Sequence, residues 1–415
     1  MEAERLDSHR LTLCLRRGRD EPLHSKLRGM DGESWRRLVD RAVWHGVAPL
    51  LHHRLQRSEN LVIPREPLER LRDLYVHCLL RNQAILEQLS KILREITEAG
   101  YSVLVLKGAC LANCVYEEAA LRPMGDIDLL ALSPDVEKVQ RHLETLGYRY
   151  AAGTKAIDYS RLHHLRPVSR TDSVVVEVHH GLAPEGAPFE HDMVGIWDRS
   201  TRTRVGDLDL PHMAPDDLLL HVCTHAAYND EFRLGLPAVC DVDAVVCRIG
   251  HELDWSRLVQ TANSDGRSRF AYVTLRLSRE LLETPVPEDV LASLHHDQGD
   301  EEVVREAVVY VLTTADEVPI TIRSIGEATT PRARLVTLWR GIFPPPKTLR
   351  RIYSLEAGTK LQYLYYVLRP LDLLIRRGRR VLGFVMGTPQ ARSALERERH
   401  RRVIRTWARG KNPEA

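Results

Sequence analysis

The sequence predicts an α+β protein: a small mixed β-sheet core flanked by N-terminal and C-terminal helical regions. Three observations carry that reading. Apolar residues recur at helical spacing through the first hundred residues. At Tyr101 the pattern changes to short apolar runs separated by turn residues. From Pro215 the helical period returns. The corresponding regions are 1–100, a core over 101–210, a helical domain packing on it over 211–300, and a basic helical region over 301–415.

Residues 35–56 present Leu38, Val39, Ala42, Val43, Val47, Leu50 and Leu51 on one helical stripe, and 67–99 present a longer one. Pro67 suits a first helical turn and Gly100 a stop. Residues 102–106 read as a buried strand ended by Lys107-Gly108, and 109–120 as a helix. After the Arg122–Gly125 turn, 126–132 reads as a second strand entered through two acids. A helix over 134–146 with Ser133 as its cap follows, ended by Gly147. Residues 164–169 and 174–179 form an antiparallel pair around the 170–173 turn, which makes 101–180 a mixed α/β unit. Later helices are expected over 215–227, 236–247, 255–262 and 269–282.

Composition narrows the functional classes. With 43% hydrophobic and 28% charged residues the chain suits a globular protein, and no apolar run approaches the ~18 residues of a membrane span. The N-terminus carries acids and no apolar segment of a secretory signal, and the seven cysteines form no CxxC pair. Both features point to free thiols in a cytoplasmic protein. The net charge of +2 conceals an asymmetry: from Lys347 onward there are 17 Lys+Arg against 5 Asp+Glu, a balance of +12, which leaves −10 on the remainder.

The most informative stretch runs from Leu106-Lys107-Gly108-Ala109 to Arg122-Pro-Met-Gly-Asp126-Ile-Asp128. Strand residues two apart share a face, so Asp126 and Asp128 project together. Two adjacent carboxylates repel unless a cation lies between them, and hard divalent ions prefer oxygen ligands. The bland alternative is a polar entry to a strand. In 174–179, Val175, Glu177 and His179 share a face opposite Val174, Val176 and Val178. Glu177 is a third ligand unless that face meets solvent. The strand–Lys107-Gly108–helix junction offers backbone N–H groups and a positive dipole end, a phosphate site in which Lys107 either pairs with the anion or is solvated.

Together these residues resemble the DNA polymerase beta-like nucleotidyltransferase superfamily. More narrowly, LKGACLA, LRPMGDIDLL, EVHH and PDDLLLHVCTH…DVDAVV are similar to the bacterial family of uncharacterised nucleotidyltransferases over roughly residues 35–280. The superfamily usually has Gly-Gly or Gly-Ser about ten residues before its D-x-D; here the turn is Lys107-Gly108-Ala109 and Asp126 follows Gly108 by 18 positions. The resemblance implies a transferase of phosphorus-containing groups using two Mg²⁺ ions, with Mn²⁺ as an alternative, held by Asp126, Asp128 and Glu177. An NTP, ATP by default, would donate its NMP group to an unidentified acceptor hydroxyl or phosphate. Lys107, Gly108, Ala109 and Arg122 would meet the phosphates, and His179 would orient a ligand, act as general base or bind the acceptor.

Two rival readings remain open at this stage: phosphoryl transfer within the same metal site, and a catalytically degenerate nucleotide-binding or regulatory module. His221 and His225 lie i, i+4 on one helix, where packing, acceptor contact and zinc ligation compete; HVCTH lacks the glutamate of H-E-x-x-H. Asp241 and Asp243 are read as acceptor contacts or a solvated helix face, and Cys110 and Cys114 as core. The basic tail over 363–386 and 396–411 suits an anionic membrane surface, nucleic acid, or packing against the acidic body. Aromatic content of 6% and the lack of an Arg/aromatic groove argue against sequence-reading nucleic-acid recognition. The partners expected are therefore an NTP, a small-molecule, peptide or protein acceptor, and peripheral membrane contact through the tail.

Overall fold

A computed structural model describes residues 2–17, 27–58, 61–154, 157–171, 173–313 and 388–410, with scattered positions between 332 and 373. The chain forms two compact units, Met1–Thr314 with Val403–Ala415, and Ala315–Arg402.

In the first unit, helices α1 (Glu2–Leu15), α2 (Gly32–Trp44), α3 (Ala48–Gln56) and α4 (Arg65–Glu98) precede the sheet. The single stripe expected over 35–56 is two helices, because Gly46 turns left-handed at φ +71° between them. Asp31 caps α2 by accepting the Ser34 N–H at 2.8 Å. The 34-residue α4 buries Leu71, Ile85, Leu89, Ile92, Leu93 and Ile96, the stripe visible in the sequence, and ends at Gly100 with φ +81°.

The sheet has the order β1-β2-β5-β4-β3. Its strands are β1 (Val103–Val105), β2 (Asp126–Ala131), β3 (Arg149–Tyr150), β4 (Val168–Ser169) and β5 (Val175–His179). Helix α5 (Lys107–Cys114), a 3₁₀ turn (Ala119–Leu121) and helix α6 (Val136–Thr145) are interleaved with them. The expected helix over 109–120 thus starts two residues earlier and stops at Cys114. The strand expected over 164–169 is reduced to β4 plus an isolated bridge between His164 and His179. No side-chain bond caps α6, which begins after Asp135 rather than at Ser133.

β2 and β5 pair in parallel, Asp126 against Val175, Asp128 against Glu177 and Leu130 against His179; β1–β2, β3–β4 and β4–β5 are antiparallel. One face of the central pair presents Ile127, Leu129, Val176 and Val178, all fully buried, with α4 against β2 and α6 against β5. The opposite face carries Asp126, Asp128, Glu177 and His179.

Beyond the sheet lie α7 (Met193–Asp198) and a hairpin of β6 (Thr201–Val205) with β7 (Leu208–His212). The hairpin was not expected, although T-R-T-R-V followed by Gly206-Asp207 carries its signal. α8 (Pro215–Thr224) passes into a π-helical turn, His225–Asn229, so the helix expected over 215–227 changes pitch at His225. Helices α9 (Leu236–Ile249), α10 (Trp255–Ser264), α11 (Ser268–Leu282), α12 (Glu288–Leu294) and α13 (Gln298–Leu312) complete a bundle around the long apolar face of α11. The sequence and structure therefore agree on the α+β class: a small mixed sheet set in helices.

Helix α14 spans Pro389–Ala408. Its last turns belong to the first unit: Trp407 Nε1 donates to Asp300 Oδ1 at 2.7 Å, and Arg405 and Arg409 pair with Glu231 at 3.2 and 3.4 Å. These two tail arginines meet acid on the body itself. Residues 374–387 of the basic tail lie outside the described residues. In the second unit, Arg369 Nε donates to the Ile342 carbonyl at 2.9 Å and Tyr366 to that of Pro344 at 2.6 Å. Among the described residues no helix is long and apolar enough to cross a membrane, and all seven cysteines are free.

Candidate functional site

Sheet register builds the site. The parallel pairing of β2 with β5 sets Asp128 beside Glu177, fifty residues away in sequence, and places His179 one pleat further on. Asp128 and His179 are almost wholly buried, whereas Glu177 is partly open. His179 Nε2 lies 2.9 Å from Asp128 Oδ1 and 3.5 Å from Glu177 Oε2. One ligand atom from each of Asp128, Glu177 and His179 lies within 4.8 Å of the others. That is the spacing of groups able to share a cation.

Lys107 enters from the other side of β2. β1 ends where Leu106 N–H donates to the Asp128 carbonyl at 2.9 Å, and the chain then turns through Lys107 at φ +46° into α5. A left-handed backbone is uncommon outside glycine. The turn carries the Lys107 ammonium to Asp128 Oδ1, 2.8 Å away. Burial alone would raise the Asp128 pKa; the Lys107 charge and the His179 bond overcome it and hold this carboxylate well below its ordinary range. Burial pulls the Lys107 pKa down, but Asp128, Glu177 and Asp126 outweigh it and leave it raised. Asp126 is at the exposed end of β2. Partial desolvation of its carboxyl, then the Asp128 charge, push its pKa up to about 6.

The remaining expected residues take different positions. Gly108 and Ala109 form the first turn of α5, ahead of its first internal bond, from Cys110 N–H to the Leu106 carbonyl at 3.4 Å. Arg122 is closed on Asp241 of α9, with Nε to Oδ1 at 3.2 Å and Nη2 to Oδ2 at 2.9 Å, and Tyr116 donates to the same carboxylate at 2.9 Å. A Cβ on Gly108 would overlap Arg122 Nη1, so a larger residue there would need this Asp241-bound guanidinium to shift. Asp241 and Asp243 are both buried, not a solvated face. Asp243 accepts from Arg17 at 3.0 Å and Thr284 at 2.8 Å.

Several contributors were not singled out from the sequence. Asn82, buried mid-way along α4, donates to the carbonyls of Ala119 and Arg122 at 2.6 and 2.9 Å and so fixes the segment leading to Asp126. His163 and His164 lie beside His179, tilted 46° to it, with ring centroids 5.1 and 5.2 Å away. His221 and His225 do share a helix face, 5.9 Å apart. Burial first, then nearby positive groups, push His163 down to about 2 and His225 to about 3. These imidazoles are neutral at physiological pH. His163 Nδ1, His179 Nδ1 and His221 Nε2 are buried with no hydrogen-bond partner in the structure. The expected antiparallel pairing of 164–169 with 174–179 already sets His164 opposite His179, and the structure keeps that contact as the isolated bridge between them.

A family model described as an uncharacterised nucleotidyltransferase matches residues 31–283. The chain belongs to this nucleotidyltransferase family. No curated protein matches it. The matched stretch runs from the capping residue of α2 through α11, and thus includes the helices that supply Asn82 and Asp241 as well as the sheet. The Asp128–Glu177–His179 group could hold a divalent cation; it shares Asp128 and Glu177 with the expected ligand set but has His179 in place of Asp126, and family membership together with that group supports nucleotidyl transfer in general. The donor types, two carboxylates and an imidazole, are ones a divalent ion accepts.

Proposed function

We propose that this protein transfers the NMP group of an NTP, with ATP as the default donor, to a hydroxyl or phosphate of a small-molecule, peptide or protein acceptor. The observation that carries the reading is the β2–β5 register, which gathers Asp128, Glu177 and His179 around one point with Asp126 on the same face. Asp126, Asp128 and Glu177 are the residues to hold Mg²⁺ or Mn²⁺, as two ions in the loaded site. Bound there, divalent ions would acidify the acceptor hydroxyl and neutralise charge on the phosphates.

The protein's own groups do the placing. His179 Nε2, bonded to Asp128, fixes the rotamer of that carboxylate, and the adjacent His163 and His164 hold the imidazole in turn. The first-turn N–H groups of Gly108 and Ala109, with the Lys107 ammonium beside them, offer positive charge to the triphosphate. Arg122 acts one step back in this reading: held by Asp241, it roofs Gly108 and keeps the turn in shape. The acceptor oxygen attacks the α-phosphorus in line. The α–β bridging bond breaks, pyrophosphate leaves, and the acceptor proton passes to solvent.

The test is calorimetric titration of the full chain with each of the four NTPs, with and without Mg²⁺, for wild type and for Asp126→Ala/Asp128→Ala. Mg²⁺-dependent binding of one NTP, lost in the double variant, is the expected result. A folded wild type that binds none of the four would refute the donor site. Mass analysis of a modified acceptor then separates nucleotidyl from phosphoryl addition.

A further inference from the structure

We propose that Lys107 is a built-in counter-cation: its ammonium occupies the place on Asp128 that a divalent ion needs, and an arriving ion binds by displacing it toward the nucleotide phosphates. The inference rests on the proposed reading of Asp126, Asp128 and Glu177 as the groups that hold the cation, with His179 positioning Asp128.

Asp128 Oδ1 already receives two donors, Lys107 Nζ at 2.8 Å and His179 Nε2 at 2.9 Å. A cation that binds Asp128 through Oδ1, rather than through Oδ2 alone, must remove one of them. His179 is fully buried, fixed in β5 and flanked by His163 and His164. Lys107 has a flexible four-carbon stem and keeps 22% of its side chain exposed, so it is the donor able to leave. Its backbone is held at φ +46°, a conformation that costs free energy in a lysine and that serves here to aim the ammonium at the carboxylates. Charge counting agrees. Asp126, Asp128 and Glu177 sum to −3, and Lys107 reduces this to −2. A carboxylate as deeply buried as Asp128, with two further acids beside it, would be costly without such compensation. The resident ammonium makes the empty site stable and sets a threshold that a divalent ion has to exceed.

Two readouts test this on the full chain without nucleotide. Mn²⁺ is titrated by calorimetry into wild type, Lys107→Met and Lys107→Gly, the glycine being compatible with the left-handed backbone. In parallel, wild-type lysines are acylated with and without Mn²⁺ and followed by mass spectrometry. Lys138, paired with Asp135 at 2.7 Å well out on the surface, is the internal reference. Both variants are expected to bind Mn²⁺ about tenfold more tightly than wild type. Lys107 acylation is expected to rise severalfold on adding Mn²⁺ while that of Lys138 stays constant. Loss of positive charge near the site would tighten Mn²⁺ binding without any displacement, so the acylation arm decides: unchanged Lys107 reactivity in Mn²⁺-loaded wild type overturns the proposal. So does Mn²⁺ affinity that is equal or weaker in both variants. If wild type and both folded variants all fail to bind Mn²⁺, the cation-site reading itself falls and takes this inference with it.

Discussion

Replacing Asp241 with alanine tests whether the helical domain braces the site. In the folded chain its carboxylate takes two bonds from Arg122, at 3.2 and 2.9 Å, and one from Tyr116 at 2.9 Å. The side chains of Arg122 and Asp241 are only 16% and 5% exposed, so water cannot easily replace the lost acceptor. Breaking a buried pair from one side leaves an uncompensated charge and costs ~3–5 kcal/mol. Arg122 retains its bond to the Pro123 carbonyl at 3.1 Å, which places the expected loss at the lower end, about 3 kcal/mol. Replacing both members, Arg122→Met with Asp241→Ala, removes the charge as well as its partner, and the double variant should lose much less than the two single losses added together. The assay is equilibrium urea unfolding of wild type, both single variants and the double, combined as a thermodynamic cycle. A coupling free energy of about 2 kcal/mol is expected. A value under about 0.5 kcal/mol, the usual error of additivity, would refute the claim that Arg122 is held chiefly by Asp241.

Two further predictions follow from the same geometry. Gly108→Ala places a methyl group against Arg122 Nη1 while Asp241 prevents the guanidinium from retreating. It should cost about 1–3 kcal/mol in wild type and less than half of that beside Arg122→Ala, measured by urea unfolding. Acidification should also destabilise the fold through its buried imidazoles. Burial, then the Arg267 charge, push His191 down to about 3, so the unfolded chain takes up protons near pH 6.5 that the folded one refuses. The stability this group contributes is complete above its unfolded pKa and is lost as pH falls toward 3. By pH 5 the loss is at most about 2 kcal/mol for this one group. The Tm should fall from pH 7 to pH 5 in wild type and fall less in His191→Gln; equal slopes would remove His191 from the account.

Much of the site could be read in the sequence because strands impose a period of two. That period alone puts Asp126 with Asp128, and Glu177 with His179, on common faces, and the structure shows both pairs so disposed. Joining the pairs is another matter. The parallel register of β2 with β5 depends on a crossover through α6 and on the burial of Ile127, Leu129, Val176 and Val178, and none of these fixes a register locally. Partners chosen by tertiary packing escaped in the same way. Arg122 resembles a phosphate contact in a motif, yet its partner is a carboxylate on a helix over a hundred residues later. Asp241 and Asp243 resemble a polar helix face, yet α9 buries them against Arg122 and against Arg17 with Thr284. The β6–β7 hairpin was missed for a different reason: its alternation is between threonine and arginine, and the outward-facing side chains give no apolar signal.

The architecture also explains why the sheet cannot be the functional unit by itself. β2 and β5 position the acids, but the turn that feeds Asp126 is held by Asn82 of α4, and the glycine that opens α5 is roofed by an arginine tethered to α9. Without α4 the Arg122 carbonyl loses its Asn82 donor, and the Ala119 carbonyl keeps only the 3.4 Å bond from the Arg122 N–H. Without α9 a buried guanidinium loses its counter-charge. Helices on both flanks are therefore structural supports of one candidate site whose carboxylates and His179 come from the sheet. The family match, from the start of α2 to the end of α11, includes both of these helices together with the sheet.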